Sequence, residues 1–355
     1  MTVSLSSLFE RRQMRCDFRH RLVFFFAVLA LFNLAAWMVL AGLAARVAAP
    51  ALSLGALSYV LGLKHGFDAD HIAAIDNVTR KLRQDGQRTI ATGLFFALGH
   101  STIVILLCLT LIAAARLNIA QCTIVSTWGG SVSRMVSAGF LTILGITNLW
   151  IFARLRGISR ARASSQRDAD FSTDEIDELL NQRGLAGRAF GFLYRRIDAS
   201  WKMFPLGFLF GIGFDTATEI AVLGVSAEAA SNGAMPVGMI MAFPLMFTAG
   251  MTMVDAMDGA LMMGMYDWAL SDPARKLSFN MIITGLSALM ALVVAVVEWF
   301  QLIGVHIRPM SQAWNAIENL NFSEIGLVMT LLILTTWLFA AGIYRRYFMP
   351  SSTRD

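Results

Sequence analysis

The chain has 355 residues, 56% of them apolar and 15% charged, with a formal net charge of +5. Soluble domains carry roughly 25% charged residues, so this composition excludes an ordinary water-soluble globule. The positive charge lies largely between long apolar runs, where it reports membrane topology, and it gives no support to nucleic-acid binding.

In chain order, Arg11, Arg12, Arg15, Arg19 and Arg21 precede an uncharged run, Leu22 to Ala45. That run is longer than the apolar core of about 7–15 residues in a signal peptide, so it reads as a retained helix. The second run, Leu52 to Val78, contains Lys64, His65, Asp68, Asp70, His71 and Asp76. Further runs cover Ala91 to Ala115, Val136 to Ala153, Met203 to Val225, Val237 to Val254, Leu277 to Val297 and Ile325 to Ile343. Each approaches the ~20 residues that cross ~30 Å of hydrocarbon. The expectation is an all-α integral membrane protein with about eight transmembrane helices.

The polar stretch 155–202, with its Asp-Glu-Ile-Asp-Glu-Leu-Leu segment, divides the chain into an N-terminal half (1–154, spans 1–4) and a C-terminal half (203–355, spans 5–8). With eight spans drawn, 24 lysines and arginines fall on one side and four on the other, leaving Lys64 in the membrane. The positive-inside rule then puts both termini and the 155–202 loop in the cytoplasm, the membrane being the cytoplasmic one. Residues 302–324 form a long outer loop with no assigned role. Cys16, Cys108 and Cys122 are too widely spaced for a disulfide framework or a zinc motif.

Gly66-Phe67-Asp68 in span 2 recurs as Gly213-Phe214-Asp215 in span 5, and Phe96 to Ser101 in span 3 loosely matches Phe247 to Thr252 in span 6. Spans 2 and 5 run in opposite directions, so the echo suggests an inverted repeat of two four-helix halves, the arrangement in which transporters place a midplane substrate site.

Eight acidic residues fall in or at the edges of spans: Asp68, Asp70, Asp76, Asp215, Glu219, Asp255, Asp258 and Glu298. A carboxylate at a helix centre costs about 2.5–3.5 kcal/mol on insertion scales, so such groups mark a cavity, a partner or a function. On a regular helix, at about 100° per residue, His65, Asp68 and His71 share one face, and Asp76 returns to within about 20° of His65. Asp70 points elsewhere unless the helix unwinds at Gly62 or Gly66. Imidazole with carboxylate suits nickel, cobalt and zinc, whereas calcium and magnesium take all-oxygen sites. His100 adds a third imidazole from span 3, while His20 and His306 lie outside the hydrocarbon.

Asp215 and Glu219 (i, i+4) and Asp255 and Asp258 (i, i+3) each share a helix face. They suit a cation path or hydrogen bonds to ligating histidines. The bland reading of span 2 is a packing network in which Lys64 pairs with Asp68 or an acidic group of another span. The methionines read as packing residues.

His65-Gly-Phe-Asp-Ala-Asp70-His71, Leu98-Gly99-His100-Ser101, Gly213 to Glu219 and Asp255-Ala-Met-Asp258-Gly259, in this order, resemble the signatures of the nickel/cobalt transporter (NiCoT) family. Ala256 departs from the threonine expected there. The resemblance implies uptake of Ni²⁺ or Co²⁺ by a single polypeptide, with His65, Asp70 and His71 as the primary metal site and His100, Asp215 and Glu219 accessory. It also implies Asn33 and Phe67 as tuners of selectivity.

Residues and resemblance together nominate His65, Asp68, Asp70, His71 and His100 as metal-binding residues, with Asp76, Asp215, Glu219, Asp255 and Asp258 along the path. The expected activity is secondary transport, import of Ni²⁺ or Co²⁺ as cargo, without enzymatic chemistry, a resident cofactor or an ATPase subunit. No Gly-x4-Gly-Lys-Ser/Thr phosphate loop is present. The rivals are a metal exporter, and an acyltransferase using the His65-x4-Asp70 pair, which would leave His71 and His100 unused.

Overall fold

In hydrocarbon every backbone N–H and C=O must be bonded within the protein, which leaves an isolated apolar segment only the helix. The computed structural model describes residues 5–47, 49–116, 123–164, 196–212, 217–231, 235–270, 273–307, 324–335 and 338, and every regular element among them is helical. These are α1 (Leu5–Val47), α2 (Ala49–His65), α3 (Ala69–Gln84), α4 (Thr92–Arg116) and α5 (Thr123–Ser164). A 3-10 turn (Ser200–Lys202) then leads into α6 (Met203–Phe210), α7 (Ala217–Ser231), α8 (Val237–Ile240), α9 (Ala242–Leu270), α10 (Pro273–Ile307) and α11 (Glu324–Thr335).

Five described stretches are long and apolar enough to cross a membrane: Phe18–Ala45, Thr92–Ala113, Arg134–Gly157, Val237–Asp267 and Thr284–Ile303. The protein is a multi-pass, all-α membrane protein. The expected spans 2 and 5 are each built from two shorter pieces, α2 with α3 and α6 with α7, and span 8 is described only as Glu324–Thr335. On α1, the exposed large apolar side chains range from 39% (Phe32) to 72% (Phe24). Lipid covers such a face.

Three boundaries differ from expectation. α5 continues to Ser164, into the stretch expected as loop, because Arg154 to Ser164 contains no proline and only one glycine to stop it. Span 6 extends to Asp267, well past Val254, since Asp255 and Asp258 point into protein rather than mark an interface. Arg80 and Lys81, counted as cytoplasmic loop charges, are buried at 2% exposure each on α3.

α9 lies centrally, against α1, α2, α3 and α4, while α5 and α10 pack along one another. Apolar burial gives little drive between helices in lipid, so close backbone approach matters most. A Cβ on Gly62 (α2) would sit 2.0 Å from Phe247 O of α9, and one on Gly250 (α9) 2.3 Å from Tyr59 O of α2. The same contact recurs between α6 and α4, where a Cβ on Gly207 would sit 2.0 Å from Phe96 O and one on Gly99 2.0 Å from Phe204 O. Phe96 and Gly99 stand in the repeat where Phe247 and Gly250 do. The two crossings are alike in their contacts, each joining the first piece of a divided span to the long helix that follows the other divided span.

Candidate metal site

The break in span 2 is local and explicit. Phe67 N bonds Lys64 O at 3.1 Å and Asp68 N bonds His65 O at 2.8 Å, closing a tight turn after Gly66. Asp68 then adopts an extended conformation (φ −66°, ψ 141°) at the N-cap of α3. Asp70 lies in the first turn of α3, its Oδ1 accepting from His71 N at 2.9 Å. Carboxylates at these positions favour the positive end of the helix dipole, which explains why α3 starts here. α2 ends at His65 with its carbonyl end turned to the same point, the broken-helix arrangement used for ions at the membrane midplane.

Three imidazoles converge at this break. The ring centroids of His65, His71 and His100 are 4.7, 4.8 and 4.9 Å apart, nearly an equilateral triangle, and their ligating nitrogens all lie within 4.8 Å of one another. Phe96 packs edge-on to His71 at 4.8 Å and Phe247 lies 5.4 Å from His65, so the two repeat-related phenylalanines each wall one histidine.

The bonding defines which nitrogens face the centre. His65 Nδ1 donates to Asp68 Oδ2 at 2.7 Å, leaving the Nε2 lone pair inward. His71 Nδ1 donates to Asp255 at 3.2 Å (Oδ2) and 3.4 Å (Oδ1), and its buried Nε2 has no hydrogen-bond partner. His100 Nε2 lies 2.7 Å from Glu219 Oε1 and 3.0 Å from His65 Nε2. In an octahedron with bonds of about 2.1 Å, adjacent ligands are about 3 Å apart, so this last pair already has the spacing of two neighbouring ligands. Glu219 Oε1, 3.8 Å from His65 Nε2, borders the same pair. The arrangement offers imidazole nitrogens and a carboxylate oxygen to a borderline divalent ion, with Asp68 and Asp255 orienting two of the rings. None of these six side chains is more than 3% exposed.

Of the other nominated residues, Asp76 is turned away from the histidines: the break rotates α3, and its carboxylate accepts from Tyr266 and from Ser287 Oγ (2.7 Å). Asp258 follows Asp255 by one turn of α9, with a buried Oδ2 lacking a hydrogen-bond partner. Asn33 Oδ1 accepts from Tyr59 Oη at 3.0 Å, and Phe67 is half-buried in the turn. Asp215 lies outside the described residues. Lys64 is exposed, and Asp68, one of the two partners that the packing reading offered it, bonds His65.

Sequence reasoning missed Thr218, whose hydroxyl is 3.2 Å from His65 Nδ1, and Arg80, whose Nη1 donates to Thr284 Oγ1 at 2.9 Å. Thr218 sits beside Glu219 in a motif already singled out. Arg80 was hidden by ending span 2 at Val78.

The profile of the NicO family, described as high-affinity nickel-transport protein, matches residues 51–343. The chain is 41% identical over 330 residues to a high-affinity nickel transport protein of Cupriavidus necator, covering 92% of each. It is 39% identical over 286 residues to the high-affinity nickel-transport protein NixA of Helicobacter pylori, covering 79% of this chain and 85% of that one. It is 37% identical over 288 residues to the cobalt transport protein NhlF of Rhodococcus rhodochrous, covering 80% of each. No solved structure matches. Buried imidazoles converging between broken membrane helices, and a match spanning most of the sequence, lead to one conclusion: the chain belongs to the NicO family of high-affinity nickel-transport proteins, which are permeases and not enzymes.

Proposed function

We propose that this chain imports Ni²⁺ or Co²⁺ across the cytoplasmic membrane, with both termini inside, through a site in which His65, His71 and His100 supply nitrogen and Glu219 supplies oxygen. The observation that carries the proposal is the triangle of buried imidazoles, whose nitrogens lie within 4.8 Å of one another and whose His71 Nε2 has no protein partner. Among the described residues His71 Nε2 is one of eight buried side-chain polar atoms without a hydrogen-bond partner, and what sets it apart from most of them is that its ring belongs to the imidazole triangle. Asp68 and Asp255 hold the proton on Nδ1 of His65 and His71, which keeps each Nε2 free for metal. Asp70 shapes the first turn of α3 around the site.

The halves 1–154 and 203–355, joined by the cytoplasmic segment 155–202, would move about the two glycine crossings, exposing the sealed site first to one side and then to the other. An inside-negative potential favours entry of a divalent ion by about 4.6 kcal/mol per 100 mV, twice the single-charge value. That drive suits import by one polypeptide without ATP. The NixA and NhlF relatives, by their names a nickel and a cobalt carrier, support both ions as cargo.

The test is accumulation of radiolabelled nickel and cobalt, at nanomolar concentration, in cells expressing the wild type, His65→Ala or His71→Ala. Import predicts accumulation above empty cells that both substitutions abolish at unchanged protein level. Accumulation at or below that of empty cells sinks the importer reading and favours export.

A further inference from the structure

Beyond the histidine site, α3 carries a second buried polar group that metal binding does not use. At 1.5 Å per residue, Asp76 and Arg80 lie about 7 and 14 Å along α3 from His71. They lead towards the end of the helix where Arg83 and Arg88 clasp Asp267 of α9 at 2.9 and 3.0 Å. Arg80 is 2% exposed. Its Nη1 donates to Thr284 Oγ1 at 2.9 Å and its Nη2 to Asn77 Oδ1 at 3.0 Å, Asn77 in turn accepting from Asn148. Its Nε has no hydrogen-bond partner, and among the described residues it forms no ion pair.

A guanidinium stays protonated in proteins. Buried membrane charges are expensive and are normally paired, or else they serve the transported ion. Arg80 is hydrogen-bonded only to neutral oxygens, and Asp76, one turn before it on α3, attracts it without pairing with it, its two oxygens being taken by Tyr266 and Ser287. Between it and the histidines stand Asp255, Asp258 and Asp76, of which Asp258 has a buried oxygen open to a cation. The column thus runs from imidazoles through carboxylates to a fixed positive charge.

We propose that Arg80 is the charge gate of the release path, a tethered cation that bars divalent ions between the histidine site and the cytoplasmic face until conformational change moves it aside. The proposal rests on the import reading above. While the site is closed, the guanidinium repels an ion resting near Asp258 and Asp76, and passive leakage is low. Its two hydrogen bonds, to a hydroxyl and an amide oxygen, are weaker than an ion pair, so the gate opens without breaking a salt bridge.

The test uses full-length protein reconstituted in proteoliposomes loaded with radiolabelled Ni²⁺, with efflux measured at zero membrane potential alongside nickel binding to the purified protein. Arg80→Gln is expected to raise efflux at least tenfold while nickel affinity stays within about twofold. Arg80→Lys, which keeps the charge, is expected to retain low efflux. Folded Arg80→Gln with wild-type efflux, or Arg80→Lys as leaky as Arg80→Gln, overturns the gate. If Arg80→Gln yields no folded protein, Arg80→Met, which keeps the apolar stem and removes the charge, takes its place under the same criteria. Wild-type vesicles that take up no nickel under an inside-negative potential overturn the import reading and the gate with it. Nickel movement that Arg80→Gln leaves unaltered overturns the gate alone.

Discussion

Asp255→Asn isolates the orientation of a single imidazole. His71 and Asp255 are both fully buried, with Nδ1 3.2 Å from Oδ2. The carboxylate can only accept, so it holds the proton on Nδ1 and leaves Nε2 bare for metal. An asparagine of the same shape can turn its NH₂ to Nδ1, which moves the ring proton to Nε2 and blocks the ligating atom. Loss of such an orienting partner costs typically about 10–100-fold in metal affinity, or about 1.4–2.7 kcal/mol. Metal-free stability should not fall, because the substitution also removes a buried carboxylate from the membrane interior. Nickel titration of the purified variant by calorimetry, with its metal-free melting curve, reads both quantities. An affinity within about twofold of wild type, at an unchanged melting point, would refute the assigned orientation.

The helix crossings and the surface charges give further outcomes. Gly207→Ala places a Cβ 2.0 Å from the Phe96 carbonyl, where ordinary contact begins at 3.4 Å, so α4 and α6 must part by more than 1 Å. Such overpacking costs about 1–3 kcal/mol. Thermal unfolding in detergent should show a clear drop, whereas Gly139→Ala, with nothing within 4 Å, should melt like wild type. Asp267→Asn removes a bridge between Arg83 and Arg88 that is 28% exposed on the Asp267 side. Partly solvated pairs contribute at most about 1 kcal/mol, so nickel uptake by this variant should stay close to wild type.

Most helices were legible because ~20-residue apolar runs report the hydrocarbon thickness directly. The break in span 2 was legible only as an optional unwinding at Gly62 or Gly66, since hydropathy averaged along a span is insensitive to a three-residue turn. That turn undoes part of the regular-helix reading: His65 and Asp68 still meet, through the turn, but Asp76 is carried off to Tyr266 and Ser287. His71 was already expected on the same face as His65, but the convergence of His100 on the pair is tertiary, set by packing among α2, α4 and α9. Of the two echoes, the Phe96/Phe247 one places Gly99 and Gly250 at similar crossings, whereas the register of the Gly66/Gly213 one would set Leu209, not Gly207, opposite Gly62. Arg80 escaped notice because a basic residue just past an apolar run looks like a loop charge, and only packing by α5 and α10 makes it interior.

X-ray absorption at the nickel edge of the purified, nickel-loaded protein examines the central claim most directly. Three imidazoles and a carboxylate predict a first shell of nitrogen and oxygen alone at about 2.0–2.1 Å, with outer-shell imidazole scattering that weakens by one ring in each of His65→Ala, His71→Ala and His100→Ala. A sulfur shell, or imidazole scattering unchanged in all three variants, would contradict it.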